Sequence, residues 1–153
     1  IEDTLIVFNL TGEDKENDPL RAVIYRPLYS SQSDDCPLVG TMYQFNANLV
    51  TAADYQVSGV AINATNTSVT DSQGRVVYVP PANKNTEETL NWNNCGPYFD
   101  YFVAEIASAA APYNLTSDVS TMKASIVAVN DVPLVWSDSW STNVTNACYS
   151  DCT

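Results

Sequence analysis

The chain has 153 residues, of which 45% are hydrophobic and only 16% are charged, a composition typical of one folded domain rather than a disordered segment. The formal net charge is −12 and the sequence pI is about 4.1. Because Lys and Arg total only 6, the composition excludes the clustered cationic surfaces that bind nucleic acids or anionic membranes.

The first half of the chain predicts four strands separated by polar loops, over residues 4–10, 20–28, 39–49 and 55–62. Segment 4–10 has apolar residues on both faces, which indicates a central strand of a sheet. The alternative is a strand that inserts into a neighbouring copy of the protein. Pro27 predicts an edge position or an end for the second strand.

The second half combines a clear turn with one ambiguous segment. Residues 71–74 predict a tight turn that leads into a strand over 75–79. A hairpin is predicted from strands over 122–130 and 133–140. Segment 98–110 alternates acceptably as a strand, but its alanine run and an apolar stripe at helical spacing favour a helix. The stripe consists of Phe99, Phe102, Val103, Ile106 and Ala110.

The number of short segments with turn signals between them predicts an all-β fold. We expect a single domain over residues 1–153, built as an antiparallel β-sandwich or barrel with at most one short helix near 98–110. No apolar run approaches the roughly 20 residues that span a bilayer, so no membrane insertion is expected.

Cysteine usage indicates an exported protein. The chain has no histidine, and its four cysteines lack the paired spacing of a zinc site, which favours disulfides. One pairing joins Cys36 to Cys95 and Cys148 to Cys152, and the alternative staples one C-terminal cysteine to a loop. The chain begins at Ile1 rather than Met, so we expect that a signal peptide has been removed and that the protein is secreted.

Five acceptor triplets for N-linked sugar agree with a secreted protein. They begin at Asn9, Asn63, Asn66, Asn114 and Asn143. Asn63 and Asn66 are an odd number of residues apart and would point to opposite faces of a strand. Because a bulky glycan cannot occupy a buried face, this segment is predicted to be an exposed loop.

The residue types exclude most catalytic machinery. Without histidine there is no Ser-His-Asp or Cys-His arrangement, and oxidised cysteines offer no thiolate. Paired carboxylates of a glycosidase are the chemistry that survives. The acidic residues near aromatic ones are Glu87, Glu88, Asp100 and Glu105. No spacing rule selects a pair, so we interpret them as solvated surface and predict no catalytic residue and no cofactor.

Two further motifs have a binding and a structural interpretation. Asp14, Glu16 and Asp18 alternate as calcium ligands do, but they lack a complete ligand loop, so we interpret them as a solvated acidic turn and predict no metal site. In an extended chain, Trp136, Asp138 and Trp140 project from one face and resemble a sugar-stacking platform. The alternative is that the tryptophans pack in the core or in a subunit contact.

Together these patterns predict a non-enzymatic secreted glycoprotein. We expect a structural subunit of an extracellular fibre or surface layer, which self-associates through strand and aromatic contacts, with a possible N-terminal donor strand. One alternative is a carbohydrate-binding module that uses the tryptophan platform. The other is a small glycosidase with paired carboxylates.

Overall fold

The computed structural model describes residues 4–15, 17–29, 40–82, 97–106 and 115–126. Within these ranges the chain forms strands and one short helix. In chain order they are β1 (Ile6–Asn9), β2 (Leu20–Tyr29), β3 (Thr41–Gln44), α1 (Ala52–Ser58), β4 (Thr67–Ser68), β5 (Arg75–Val79), β6 (Tyr98–Glu105) and β7 (Ser120–Lys123).

The strands form two antiparallel sheets, which confirms the predicted all-β sandwich. One sheet has three strands in the order β1-β5-β3, and the other has four in the order β4-β2-β6-β7. Among the described residues neither sheet closes into a barrel. The main core lies between the sheets, because strands of both contribute to it. Its buried members are Leu10, Ala22, Ile24, Met42, Ile62, Val69, Val76 and Phe99.

The three-stranded sheet is covered on both faces. On β5, Val76 faces the main core, whereas Val77 and Val79 pack with Tyr43 and with Tyr55 of α1. All four residues from Val76 to Val79 are buried. A strand that is buried on both faces has a continuous apolar sequence rather than an alternating one, which explains the run Val-Val-Tyr-Val.

Helix α1 replaces the strand that was predicted over 55–62, and this prediction is wrong. The helix begins with a capping box, in which the Thr51 hydroxyl accepts from the Asp54 N–H at 3.1 Å and Asp54 Oδ2 accepts from the Thr51 N–H at 2.8 Å. The hydrogen bond with the Thr51 side chain lowers the pKa of Asp54. The buried Tyr55 then ties the helix to the chain before it, because its hydroxyl donates to the Asn46 carbonyl at 3.0 Å.

The helix predicted near 98–110 is also wrong, because β6 occupies Tyr98–Glu105. This strand lies between β2 and β7, which satisfy its backbone groups on both sides. Phe99 and Tyr101 contribute to the main core, so alternate residues turn inward with a period of two. The apolar stripe at helical spacing is therefore a coincidence of a strand with large residues on both faces.

In the described part of the three-stranded sheet, strand β1 lies at one edge, and its predicted central position stays a prediction. Among the described residues it pairs with β5 alone, and Val7 is 46% exposed. Ile6 and Phe8 pack against the core cluster around Tyr78. The alternative prediction, insertion of this strand into a neighbouring copy, stays a prediction.

Two other sequence predictions are partly resolved. Pro27 lies near the end of β2, between Arg26 and Tyr29, where the register with β6 shifts. This position agrees with the predicted strand end. In the predicted hairpin, β7 begins earlier, at Ser120, and ends at Lys123. The remainder of the hairpin lies outside the described residues. Within the described part of the chain, no helix has both the length and the apolar character needed to cross a membrane.

The turn predicted at 71–74 is confirmed and is closed by Asp71. Its Oδ2 accepts from the N–H groups of Gln73 at 3.0 Å and Arg75 at 3.1 Å, and the Arg75 guanidinium pairs with both carboxylate oxygens. The hydrogen bonds from the Arg75 side chain are the main cause that lowers the pKa of Asp71 from 3.8 to about 2. The ionised carboxylate thus stabilises the turn that leads into β5.

Replacing Asp71 with Asn removes the ion pair with Arg75 and is expected to cost about 1–2 kcal/mol of unfolding free energy at neutral pH. The cost is no larger because solvent screens this partly exposed pair. Because the folded-state pKa of Asp71 is lowered, its ionised form contributes stability at pH values above the unfolded pKa of 3.8. This contribution is lost as the pH falls towards the folded-state pKa of about 2. Urea unfolding should therefore show a difference between wild type and Asp71→Asn at neutral pH that shrinks in acid. The exposed Asp118→Asn is the matched control, and a difference that is independent of pH would contradict the assignment.

Candidate functional site

The outward surface of the four-stranded sheet carries aromatic and cationic side chains. Inward residues of β2 and β6 such as Ile24 and Phe99 belong to the core, so the alternate positions face away from it. The bulge of β2 after Ile24 shifts this alternation and turns Arg26, which pairs with Asp100, to the same outward side. We call this surface the outer face. It comprises Tyr25, Arg26 and Tyr29 of β2, Tyr98, Asp100 and Phe102 of β6, and Thr121 and Lys123 of β7.

Four of these residues form a continuous stack across three strands. The Arg26 guanidinium carbon lies 3.7 Å from the centroid of the Tyr29 ring. Tyr29 stacks on Tyr98 with centroids 5.9 Å apart and an interplanar angle of 29°. The Lys123 Nζ lies 5.6 Å from the Tyr98 centroid. This cation–tyrosine stack therefore places a positive charge beside each of the two tyrosines.

Asp100 holds the stack in place from within the sheet. Its Oδ1 accepts from the Tyr29 hydroxyl at 2.9 Å and from the Thr121 hydroxyl at 2.6 Å. The carboxylate is only 8% exposed and lies opposite Arg26 on β2 and Thr121 on β7. Burial, followed by the hydrogen bond to Asp100, raises the pKa of Tyr29. The neutral phenol is thereby kept as a donor to a buried acceptor.

A second aromatic pair lies further along the same face. Tyr25 and Phe102 meet edge to face with ring centroids 6.4 Å apart. Tyr25 is 47% exposed, so much of its ring is open to solvent. The exposed part of such a ring offers a large apolar surface on which a further group can pack.

Comparison of the chain with protein-family models, with curated protein sequences and with solved structures gave no match. The residues of the outer face and the predicted sites therefore carry the functional assignment. The sequence contains one signal for this face. Along β2 and β6, aromatic residues occupy positions that alternate with the core residues and therefore point away from the core.

The structure does not bring the described members of the predicted carboxylate set together. Asp100 and Glu105 lie on one strand at an odd separation, so their side chains leave opposite faces about 17 Å apart along the strand. A glycosidase needs carboxyl groups about 5–9.5 Å apart across a cleft. Asp100 is moreover engaged by Tyr29 and Thr121. Glu87 and Glu88 lie outside the described residues.

The exposed loop predicted around the two neighbouring sugar acceptors is confirmed. Asn63 and Asn66 are both exposed in the connection between Ile62 and β4, where Asn63 precedes a bend and Asn66 ends the turn that follows, with a positive φ of 55°. Asn9, at the end of β1, is exposed as well. Use of these acceptors stays a prediction. Asn114 and Asn143 lie outside the described residues.

Several predicted sites cannot be located. All four cysteines (Cys36, Cys95, Cys148 and Cys152) and the platform residues Trp136, Asp138 and Trp140 lie outside the described residues. In the acidic turn, Asp14 Oδ2 accepts from the Asp18 N–H at 2.9 Å, which is the pattern of a self-capped loop. The described part of the chain holds no group of three or more potential metal ligands.

Proposed function

We propose that this protein is a non-enzymatic, secreted structural glycoprotein that associates with neighbouring copies through the outer face. The observation that carries the proposal is the cation–tyrosine stack, which Asp100 fixes on the sheet surface away from the core. Aromatic and arginine side chains that are ordered before binding lose little entropy on contact and are enriched where proteins meet.

The stack favours a protein contact over sugar stacking. A sugar ring needs an open aromatic face, but Tyr29 and Tyr98 stack on one another and each also has a cation beside it. The exposed Arg26 guanidinium instead suits an acidic group of a partner. The carbohydrate-binding alternative depends on Trp136 and Trp140, whose positions the structure does not describe.

A second copy of the chain offers such acidic groups. Glu13, Asp14 and Asp18 lie in the loop just before β2, whereas Arg26 and Lys123 lie towards the opposite end of the sheet, near the ends of β2 and β7. The ten residues of β2 span about 30 Å, so these groups cannot meet within one molecule. Contact between the loop of one copy and the stack of the next is heterologous, so it builds a ring where the rotation between copies closes and a filament where it does not.

Charge reversal of the stack tests this proposal. The double variant Arg26→Glu/Lys123→Glu is expected to weaken self-association at least about tenfold in sedimentation velocity, because it opposes like charges at the contact. Raising the salt concentration should weaken wild-type association in the same direction. Gln56→Glu/Val57→Glu is the control for added negative charge, since both residues are exposed on α1, which packs on the three-stranded sheet away from the outer face.

Complementation makes the test specific. Mixing the double variant with Glu13→Lys/Asp18→Lys should restore mixed oligomers, because the reversed loop now meets the reversed stack. A wild type that stays monomeric at every concentration, or an association that charge reversal leaves unchanged, would overturn the proposal.

A further inference from the structure

The strand register places one sugar acceptor beside an exposed aromatic ring. Strand β4 pairs with β2 through Ser68 opposite Val23 and Thr67 opposite Ile24. Asn66, the turn residue just before β4, comes next to Tyr25 when this register is continued by one position, and its N–H donates to the Tyr25 carbonyl at 3.4 Å. This hydrogen bond keeps the two backbone segments side by side, about 5 Å apart as neighbouring strands are.

Tyr25 has the properties of a surface on which a sugar ring can pack. Its ring lies on the outer face, is 47% exposed, and touches Phe102 edge to face. Unlike Tyr29 and Tyr98, it has no cation over its ring among the described residues. The C–H face of a pyranose packs on an aromatic ring in the same way as other apolar groups do.

Asn66 is also held in a defined position. Its φ of 55° is a left-handed conformation that asparagine tolerates, and the turn before it is closed by the Thr67 hydroxyl, which donates to the Ala64 carbonyl at 2.7 Å. Asn63 differs, because the neighbouring Ile62 donates its N–H to Met42 of the other sheet. The chain therefore crosses between the sheets from Asn63 to Asn66, and only Asn66 is the cross-strand neighbour of Tyr25.

We propose that the first N-acetylglucosamine of a glycan on Asn66 packs on the Tyr25 ring and stabilises this edge of the four-stranded sheet. Strand β4 covers only two positions of β2. The glycan extends that cover over the residues of β2 that follow, which no strand in the described part of the chain pairs on this side. The inference needs sugar on Asn66 but does not depend on the proposed self-association.

A double-mutant cycle in protein from a eukaryotic secretory host tests the contact. Ser68→Ala abolishes the acceptor triplet of Asn66 while leaving the asparagine in place, and Tyr25→Thr removes the ring but introduces a β-branched residue that also suits a strand. Ser68→Ala should lower the Tm by roughly 3 °C when Tyr25 is present and by less than about 1 °C in the Tyr25→Thr background. Thr65→Ala, which removes the Asn63 triplet, is the matched control and should show no such coupling.

Trimming identifies the sugar that makes the contact. In a host that adds high-mannose glycans, an endoglycosidase that leaves one N-acetylglucosamine should preserve the wild-type Tm. The same cycle in unglycosylated bacterial protein should show no coupling between positions 25 and 68. An unoccupied Asn66 in mass spectrometry of the secreted protein, or equal coupling with and without sugar, overturns the inference. Each measurement is made on dilute protein, so loss of self-association leaves its outcome unchanged.

Discussion

The Gly74→Ala variant is expected to lose about 3–5 kcal/mol of unfolding free energy, a large fraction of the stability of a typical domain. Gly74 ends the turn before β5 with a φ of +70°, which costs any residue with a Cβ about 1 kcal/mol. A Cβ there would also lie 2.4 Å from the Leu10 carbonyl oxygen. The Cβ is fixed to the backbone of residue 74 and the oxygen belongs to the backbone of Leu10, so no side-chain rotation can relieve the clash and the two segments must separate. That movement would break the 2.9 Å hydrogen bond from the Leu10 N–H to the Gly74 carbonyl.

Two further variants separate the clash from the backbone strain. Asn17 has a φ of 60° in an exposed loop, so Asn17→Ala should cost only about 1 kcal/mol of strain. Gly74→Asn places a residue that tolerates positive φ where the clash persists, and it should be nearly as damaging as Gly74→Ala. Urea unfolding of the three proteins gives the comparison. A Gly74→Asn protein as stable as wild type would show that the close approach to Leu10 is not a constraint.

The same turn shows what the sequence predicts well. Asp71 and Gly74 are local signals, because a side chain that caps its own turn and a residue free to take positive φ determine the backbone without distant partners. The strand that follows is equally clear, since Val76 to Val79 form an apolar run between a turn and a proline. Such features depend on neighbours in the chain and can therefore be predicted from it.

Elements whose identity depends on distant partners were predicted less well. Segment 98–105 has residues that suit a helix or a strand, and only pairing with β2 and β7 decides between them. Helix α1 shows the converse error, because Tyr55 and Val57 imitate an alternating strand. The local signal that identifies the helix is the capping box of Thr51 and Asp54. Here a short-range hydrogen-bond motif is more informative than hydrophobic spacing.

The candidate site could not be assembled from the sequence. Tyr29 and Asp100 are 71 residues apart in the chain, and Thr121 lies another 21 residues on, so their hydrogen bonds exist only after three strands are in register. The bulges of β2 between Ile24 and Tyr29 shift that register. Asp100 consequently appeared in the sequence as a solvated acid, whereas it is a buried acceptor that organises two hydroxyl groups.

Replacement of Gln44, which joins the two sheets, is expected to cost almost as much unfolding free energy as Gly74→Ala. Gln44 of β3 is only 9% exposed and reaches the other sheet with both ends of its amide. Its Nε2 donates to the Ser68 carbonyl at 2.9 Å, and its Oε1 accepts from the Thr70 N–H at 2.9 Å and from the Thr70 hydroxyl at 3.1 Å. Gln44→Met, which keeps the chain length, is expected to cost about 2–3 kcal/mol in urea unfolding, because these backbone groups lose their partners.

The isosteric Gln44→Glu variant shows whether Gln44 stabilises the fold through its hydrogen bonds or through its shape. Its carboxylate would be partly buried and would face the Ser68 carbonyl, so its folded-state pKa should rise above the ordinary value of about 4.3. A raised folded-state pKa gives stability that is present below the unfolded pKa and is lost as the pH rises through the folded pKa. Relative to wild type, Gln44→Glu should therefore be nearly as stable below about pH 4 and markedly less stable at about pH 7. The Asp71 contribution cancels in this comparison because both proteins retain it. If Gln44→Glu and Gln44→Met lose the same stability at both pH values, the amide only fills space and does not join the sheets.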